Sequence, residues 1–533
     1  MTLDLARIPR WVLALAAGAA AALAHPPFGL LPGLLGYALL LWLVDTVDSD
    51  RPLRSAFWRG WLAGVAYFAI GTWWIAEAFL VDIVHHGWMA PLAVSFMAGG
   101  IALFWGAACL TYRWIGGAPG AVGRVLLFAA VFAGFEWLRG HVLTGFPWNL
   151  VGETWKAGSA MSQTAALVGA YGLTLITLAI AASAAVWREG RAGRIALGLA
   201  AATLVGLWSF GACRTAGTAE SPPAATALTV RIVQADIKQS AKYDPAEFQR
   251  IVTAYVSLTA RPYPGGRPAD IVVWPEGAIP DAVNSYLAPG TWTRAAIEDV
   301  LAPGQVLLVG AYRVEGTQAD YRAYNSLIAV RRTAAGLEPA GVYDKFRLVP
   351  FGEFLPLDGL MTALGVKTLV HVGDGFTSGP PPRPLQPDGL PAFQPLICYE
   401  GLYPGFTRAG AKASGIKPDF IVNASNDAWF GATSGPLQHL NLSSYRAIEE
   451  GIPIIRSTPT GVSTLVDATG RAGDKILGLG ESGVIDQSLP QQRFETLYRR
   501  LGDLPFLLLL LISGFIGLRF RVVSVLKSMQ NRF

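Results

Sequence analysis

The strongest constraint in this sequence is a series of apolar stretches, each near the roughly 20 residues that a helix needs to cross a bilayer core. They run at about 11–25, 28–46, 57–80, 88–112, 122–138, 161–187, 195–213 and 504–520. Between 226 and 490 the pattern changes to short β-like runs alternating with helical ones. The chain therefore divides into a membrane bundle of about seven helices (1–214), a mixed α/β domain (226–490) and a last span with its tail (500–533). Segment 215–227 is small, polar and proline-containing, and reads as a linker. Only 15% of the 533 residues are charged and 52% are hydrophobic, against about a quarter charged in soluble domains. That excludes disorder and an ordinary soluble globule. The net charge of +5 is too weak and too dispersed to suggest a nucleic-acid partner.

Basic residues mark sidedness. Arg7 and Arg10 precede the first span, and Arg51, Arg54 and Arg59 follow the second. Arg113 and Arg124 lie between the fourth and fifth, Arg188, Arg191 and Arg194 between the sixth and seventh, and Arg519, Arg521, Lys527 and Arg532 after the last. The alternate loops hold only Arg139 and Lys156. With about eight spans every basic loop falls on one side, so both termini are expected in the cytoplasm and 226–490 outside it, which in a bacterium is the periplasm. The N-terminus mimics a signal peptide, with Ala22-Leu23-Ala24 as a cleavage-like site. A retained first helix is expected, because further spans follow at once. The loop Thr144-Gly145-Phe146-Pro147-Trp148-Asn149 reads as an interfacial aromatic belt in preference to a re-entrant segment. Glu77 and Glu136 are the ionisable residues of the bundle to watch, both expected near the outer face.

Three strand-like runs of the α/β region end in residues that a plain sheet would not place there. Glu276 follows Ile271-Val272-Val273-Trp274-Pro275, Lys345 follows Tyr343-Asp344, and Cys398 follows Pro395-Leu396-Ile397. Taken singly, each has a plainer explanation: a buried thiol, a turn carboxylate, a surface ammonium. Together they form an acyl-transfer set. A carboxylate can take the thiol proton, the thiolate attacks a carbonyl, and an ammonium or a backbone N–H stabilises the oxyanion. Histidine is not required; none of the six lies close in sequence to Cys398. Three cysteines make no disulfide framework.

Trp274-Pro275-Glu276, then Asp344-Lys345 with Leu348-Val349-Pro350-Phe351-Gly352-Glu353, then Ile397-Cys398-Tyr399-Glu400 occur in this order, about 70 and about 50 residues apart. This resembles the nitrilase, or carbon–nitrogen hydrolase, superfamily, and implies its four-layer α-β-β-α sandwich. Set between a helix bundle and a final span, the domain looks like that of the apolipoprotein N-acyltransferase family. His25-Pro26-Pro27-Phe28, Gly145-Phe146-Pro147-Trp148, Gln234 to Gln239 and Asn423 to Gly431 agree with it as well.

The resemblance implies a reaction. A phospholipid, typically phosphatidylethanolamine, acylates Cys398. The α-amine of a diacylated apolipoprotein's N-terminal cysteine then takes the chain from the thioester. Cys398 is implied as nucleophile, Glu276 as general base and Lys345 as oxyanion stabiliser. Glu353, Tyr399 and Glu400 match further family positions, with Trp274, Tyr243, Trp148, Asn426 and Trp429 as supporting or substrate-binding candidates. The net exchange of an ester for an amide runs downhill, so no metal, nucleotide or other cofactor is expected, and no P-loop is present. Two departures stand out: Gly277 where the family usually has Ser or Thr, and Tyr243 after Lys242 where it often has Trp.

Gly478-Leu479-Gly480-Glu481-Ser482-Gly483 fits G-x-G-x-x-G, but no helical pattern follows, so a loop is expected. His85-His86 lacks metal-ligand spacing. The rival activities are a membrane-tethered amidase using water, a transporter with an outer domain, and lipid binding without chemistry. Acyl-chain preference, oligomeric state and the gate for the second substrate are not encoded in any pattern of this chain.

Overall fold

The computed structural model describes residues 8–47, 50–116, 120–216, 227–317, 320–356 and 375–530, with 519–530 described by backbone alone. The linker read at 215–227 lies almost wholly outside them, as do Arg7 and Arg532. The chain forms two compact units, Met1–Ala219 with Thr496–Phe533, and Glu220–Glu495.

In the first unit helices form where the apolar stretches lie. They are α1 (Arg10–Leu23), α2 (Leu35–Asp45), α3 (Pro52–Gly71), α4 (Ala90–Ile115), α5 (Ala121–Arg139), α6 (Ala165–Ala182), α7 (Gly190–Ala216) and a C-terminal helix, Leu504–Gln530. Among the described residues, four segments are long and apolar enough to cross a bilayer: Ile83–Ile115, Ala121–Arg139, Met161–Val186 and Gly190–Ala216. Arg10–Leu23, Leu31–Asp45 and Leu504–Leu518 are apolar but shorter. The stretch at 28–46 loses its first turns because Pro26, Pro27 and Pro32 lack an N–H to donate, and the chain enters through a 3-10 turn, Leu31–Leu34. The stretch at 57–80 becomes α3, opened by Pro52 and ended at Gly71, where the Thr72 hydroxyl donates to the Phe68 carbonyl at 2.8 Å. Small residues let these helices touch: a Cβ on Gly18 would come within 1.8 Å of the Ala63 carbonyl oxygen.

Two features singled out in the sequence are built into the interior of this unit. Glu136 is wholly buried, bonded to Arg139 Nε at 3.2 Å and to Trp105 Nε1 at 3.0 Å. A buried charge pair is tolerated because each partner supplies the other's hydrogen bonds. In the aromatic loop Trp148 is buried, its ring 4.4 Å from that of Trp74, and its carbonyl accepts from Arg139 Nη1 at 3.0 Å.

The second unit holds two mixed sheets. Its strands are β1 (Thr229–Gln234), β2 (Ile271–Trp274), β3 (Val306–Glu315), β4 (Arg322–Thr333), β5 (Gly336–Asp344), β6 (Phe393–Ile397), β7 (Phe420–Ala424), β8 (Ile454–Ser457), β9 (Ser463–Val466), β10 (Ala472–Leu477) and β11 (Gly483–Ser488). One sheet runs β11-β1-β2-β3-β4-β5 and the other β10-β9-β8-β7-β6. β1, β2 and β3 are parallel, as are β6, β7 and β8. Parallel strands are covered on both faces, which is why they read as unbroken apolar runs. Side chains alternate accordingly. Ile271 and Val273 meet Phe393, Ile397, Phe420 and Val422 between the sheets. Val272 and Trp274 point the other way, onto helices α8 (Phe248–Thr259) and α9 (Trp292–Val300). Each fully buried side chain of this kind contributes roughly 1.5–3 kcal/mol. Helices α10 (Phe406–Ser414) and α11 (Gly435–Glu450) flank the second sheet, where Arg456 of β8 donates to Ser443 of α11 at 3.3 Å. The layers are helix, sheet, sheet, helix.

β6 lies at a sheet edge, the position that tolerates Pro395 without its N–H. β10 and β11 carry polar faces and gave no strand pattern. β11 nevertheless closes the first sheet, pairing antiparallel with β1 in the register Ile232↔Ile485. The G-x-G-x-x-G segment joins β10 to β11 as a turn, with Gly478 N donating to Glu481 Oε2 at 2.7 Å.

Candidate active site

Three strand ends of the second unit supply the site. Pro275-Glu276 leaves β2, and β3 lies so close that a Cβ on Gly310 would come within 2.5 Å of Glu276 Cα. Lys345 follows β5 directly, its N–H bonded to the Asn325 carbonyl of β4 at 2.8 Å. Cys398 follows β6 and opens a 3-10 turn, Cys398–Leu402, with φ +48°. A non-glycine residue in the left-handed region is uncommon and strained; here it turns the thiol off the end of the strand.

The charged groups interlock. Lys345 Nζ, 1% exposed, donates to Glu276 Oε1 at 3.2 Å and to Glu353 Oε1 at 2.9 Å. Asn325 Nδ2 donates to the same two oxygens, at 2.6 Å and 2.7 Å. Glu353 Oε2 accepts from Val349 N at 2.9 Å, which fixes the turn after Lys345. Glu276 Oε2 is buried with no partner among the described residues. One oxygen of the carboxylate is thus clamped by two donors.

Burial would lower the Lys345 pKa, but the Glu276 and Glu353 carboxylates outweigh it and hold the ammonium protonated. The Cys398 thiol is pushed up to about 12, first by burial and then by Glu276, with Lys345 and the Ser425 hydroxyl pulling the other way. These mutual effects tie the sulfur electrostatically to the Glu276–Lys345 pair.

The supporting candidates fall into different places. Glu400 is an internal brace: Oε1 accepts from Tyr343 Oη and Phe346 N at 2.8 Å and Arg347 N at 3.1 Å, and Oε2 from Ile397 N at 2.8 Å. It links the ends of β5 and β6, and so sets Lys345 relative to Cys398. Burial pushes its carboxyl up to about 7, against the donors that favour the carboxylate. Tyr399 is buried, edge-on to Tyr403 at 5.2 Å. Asn426 Nδ2 donates to Gln239 Oε1 at 2.9 Å, and Gln239 Nε2 to Tyr243 Oη at 3.3 Å. Trp429 is half-buried in the turn Asp427–Phe430. Trp274 is corrected from a supporting position to a core one: it points away from the inter-sheet face, tilted against Tyr255 with Nε1 bonded to Thr259 Oγ1 at 3.0 Å. Trp148 belongs to the helical unit, buried against Trp74.

Sequence reasoning missed Asn325, His439 and Lys242. Asn325 announced itself only as a polar residue within an apolar strand. His439 of α11 lies 3.2 Å from the Cys398 carbonyl through Nε2 and 2.9 Å from Asp427 Oδ1 through Nδ1. Asp427 Oδ2 is held by Arg456 Nη2 at 2.7 Å, so a buried Arg-Asp-His chain supports the strained turn. Burial, then Arg456, lowers the His439 pKa. Lys242 reaches Gly277: a Cβ there would sit 3.4 Å from Nζ. Both departures from the family pattern, Gly277 and Tyr243, therefore border this one lysine. Among the described residues, no group of His, Cys, Asp and Glu is arranged to hold a metal ion.

Residues 17–183 match the model of the apolipoprotein N-acyltransferase N-terminal domain, and 229–498 that of carbon-nitrogen hydrolase. An apolipoprotein N-acyltransferase of Caulobacter vibrioides is 60% identical over 521 residues, 98% of this chain and 96% of that protein. One of Allorhizobium ampelinum is 38% identical over 476 residues, 87% and 86% of the two. An amidase from Nesterenkonia sp. AN1 superposes at a TM-score of 0.35 with 19% identity, over 52% of this chain and 96% of that one. With near-complete coverage at these identities, the chain belongs to the apolipoprotein N-acyltransferase family.

Proposed function

We propose that this enzyme moves an acyl chain from a phospholipid to the N-terminal α-amine of diacylglyceryl-cysteine on apolipoproteins, through a thioester on Cys398. Glu276 takes the thiol proton through its unpartnered oxygen as sulfur attacks the ester carbonyl. Lys345 and the backbone at the Cys398 turn stabilise the tetrahedral oxyanion. The intermediate collapses, the proton passes from Glu276 to the departing alkoxide, and lysophospholipid leaves. In the second half the acceptor amine attacks the thioester carbonyl, its proton goes to Glu276, and the thiol is regenerated on release of the amide. Glu353 and Asn325 hold Lys345 and Glu276 in register, and Glu400 fixes the two strand ends.

The observation that carries this reading is the clamp on Glu276: one oxygen tied to Asn325 and Lys345, the other without a hydrogen-bond partner among the described residues, and the carboxylate coupled electrostatically to the Cys398 thiol. Phosphatidylethanolamine is the donor proposed. The domain division at 214, 226, 490 and 500, about eight spans, a periplasmic catalytic domain and cytoplasmic termini are proposed from the apolar stretches and the one-sided basic loops. The test is mass spectrometry of the protein incubated with phospholipid alone, then with a diacylated lipopeptide. An acyl adduct on the Cys398 peptide that moves to the lipopeptide amine is expected. An adduct elsewhere, or none, refutes the mechanism; free fatty acid in place of acylated peptide identifies the amidase.

A further inference from the structure

Lys242 sits in the turn Gln239–Tyr243, between β1 and α8. Its stem is partly exposed, yet its ammonium is buried and has no hydrogen-bond partner among the described residues. The turn that carries it is held from the other side by Asn426 through Gln239. Nζ approaches the backbone at Gly277, the residue after Glu276, where φ is +58° and no side chain stands between them. An ammonium kept out of water without an acceptor is unfavourable. Burial lowers its pKa to about 8, with Glu276 pulling upward, so most molecules still carry the charge at neutral pH. Such a group is ready for an anion that arrives from outside.

The two substrates of the proposed reaction differ in what they offer it. The donor carries a phosphodiester anion a few bonds from the ester under attack. The acceptor's reacting end is an amine on a diacylglyceryl thioether, with no phosphate. We infer that Lys242 is the donor-recognition residue of this site, binding the phospholipid phosphate while the ester carbonyl meets Cys398. Lysine binds phosphate as a point charge. The inference rests on the acyl-transfer reading above and deepens it.

The experiment compares two esters on the full chain in detergent micelles, by single-turnover acylation of Cys398: phosphatidylethanolamine, and p-nitrophenyl palmitate, which has no phosphate. In Lys242→Gln the ratio of the two rate constants, phospholipid over nitrophenyl ester, should fall about tenfold or more. In Lys242→Arg it should largely recover. Parallel loss with both esters would make Lys242 a support of Glu276 or of the fold, and an unchanged ratio would remove it from recognition; either overturns the inference. Inorganic phosphate that slows the nitrophenyl reaction of the wild type but not of Lys242→Gln would assign the site to free phosphate and overturn it too. Wild-type protein forming no Cys398 adduct with either ester refutes the acyl-transfer reading itself, whereas adducts from both with an unchanged ratio refute the inference alone.

Discussion

Glu276→Gln isolates the role of the base because it preserves shape while changing two opposing quantities. With the Cys398 thiol near 12, about one molecule in 10⁵ carries a thiolate at pH 7. Sulfur that is so rarely ionised attacks at a useful rate only if its proton leaves in the same step. Glutamine cannot take that proton, and loss of a positioned base costs about 10²–10⁴ in rate. Removing the negative charge also withdraws the second-largest influence holding the thiol up. That returns about tenfold, the value of one pKa unit. The net expectation is a loss of about 10–10³ in single-turnover acylation at neutral pH. The pH profile is the sharper test. Below its pKa the thiolate fraction rises tenfold per pH unit, so the variant's rate should climb with unit slope between about pH 6 and pH 9. The wild type, with its base in place, should stay nearly level. The assay is quenched-flow acylation by p-nitrophenyl palmitate with the adduct read by mass. A level profile in the variant, or a loss below about tenfold, would mean that sulfur attacks as a preformed thiolate and that Glu276 is not its base.

Lys345→Met leaves two buried carboxylates sharing only Asn325. Breaking a buried pair in this way costs roughly 3–5 kcal/mol, so the unfolding temperature in detergent should drop. An unchanged transition would contradict the pairing. Asn325→Leu removes two charge-assisted bonds, each worth about 1.5–3 kcal/mol, and should slow acylation by about a hundredfold or more while Cys398 stays alkylatable; full activity would refute the clamp. Gly310→Ala places a methyl within 2.5 Å of Glu276 Cα and should displace the base, with acylation lost but helical content by circular dichroism retained. Wild-type rates in that variant would show that β3 does not set the position of Glu276.

How much of this was legible in the sequence depends on whether a feature is carried by neighbours or by pairing. The apolar stretches and the parallel strands are local patterns, and they announced both units. Glu276, Lys345 and Cys398 were legible because each ends an apolar run with a residue the run does not explain. Trp274 was misplaced because a four-residue strand buried on both faces carries no polar residue to tell one face from the other. Asn325 was invisible for a different reason: its partners lie 49 and 28 residues away, and only the β3–β4–β5 register brings them together. Lys242 and Asn426 are likewise joined to the site across 187 residues, by the bond between Gln239 and Asn426. A charged residue inside a turn reads as solvated, and the rule that lysine is a surface residue holds for most lysines. It fails at Lys345 because two carboxylates accompany the ammonium into the interior. At Lys242 no hydrogen-bond partner accompanies it among the described residues, and Glu276 supplies only a Coulombic pull. That asymmetry between the two lysines, one satisfied by the fold and one not, separates the group that builds the site from the group that waits for substrate.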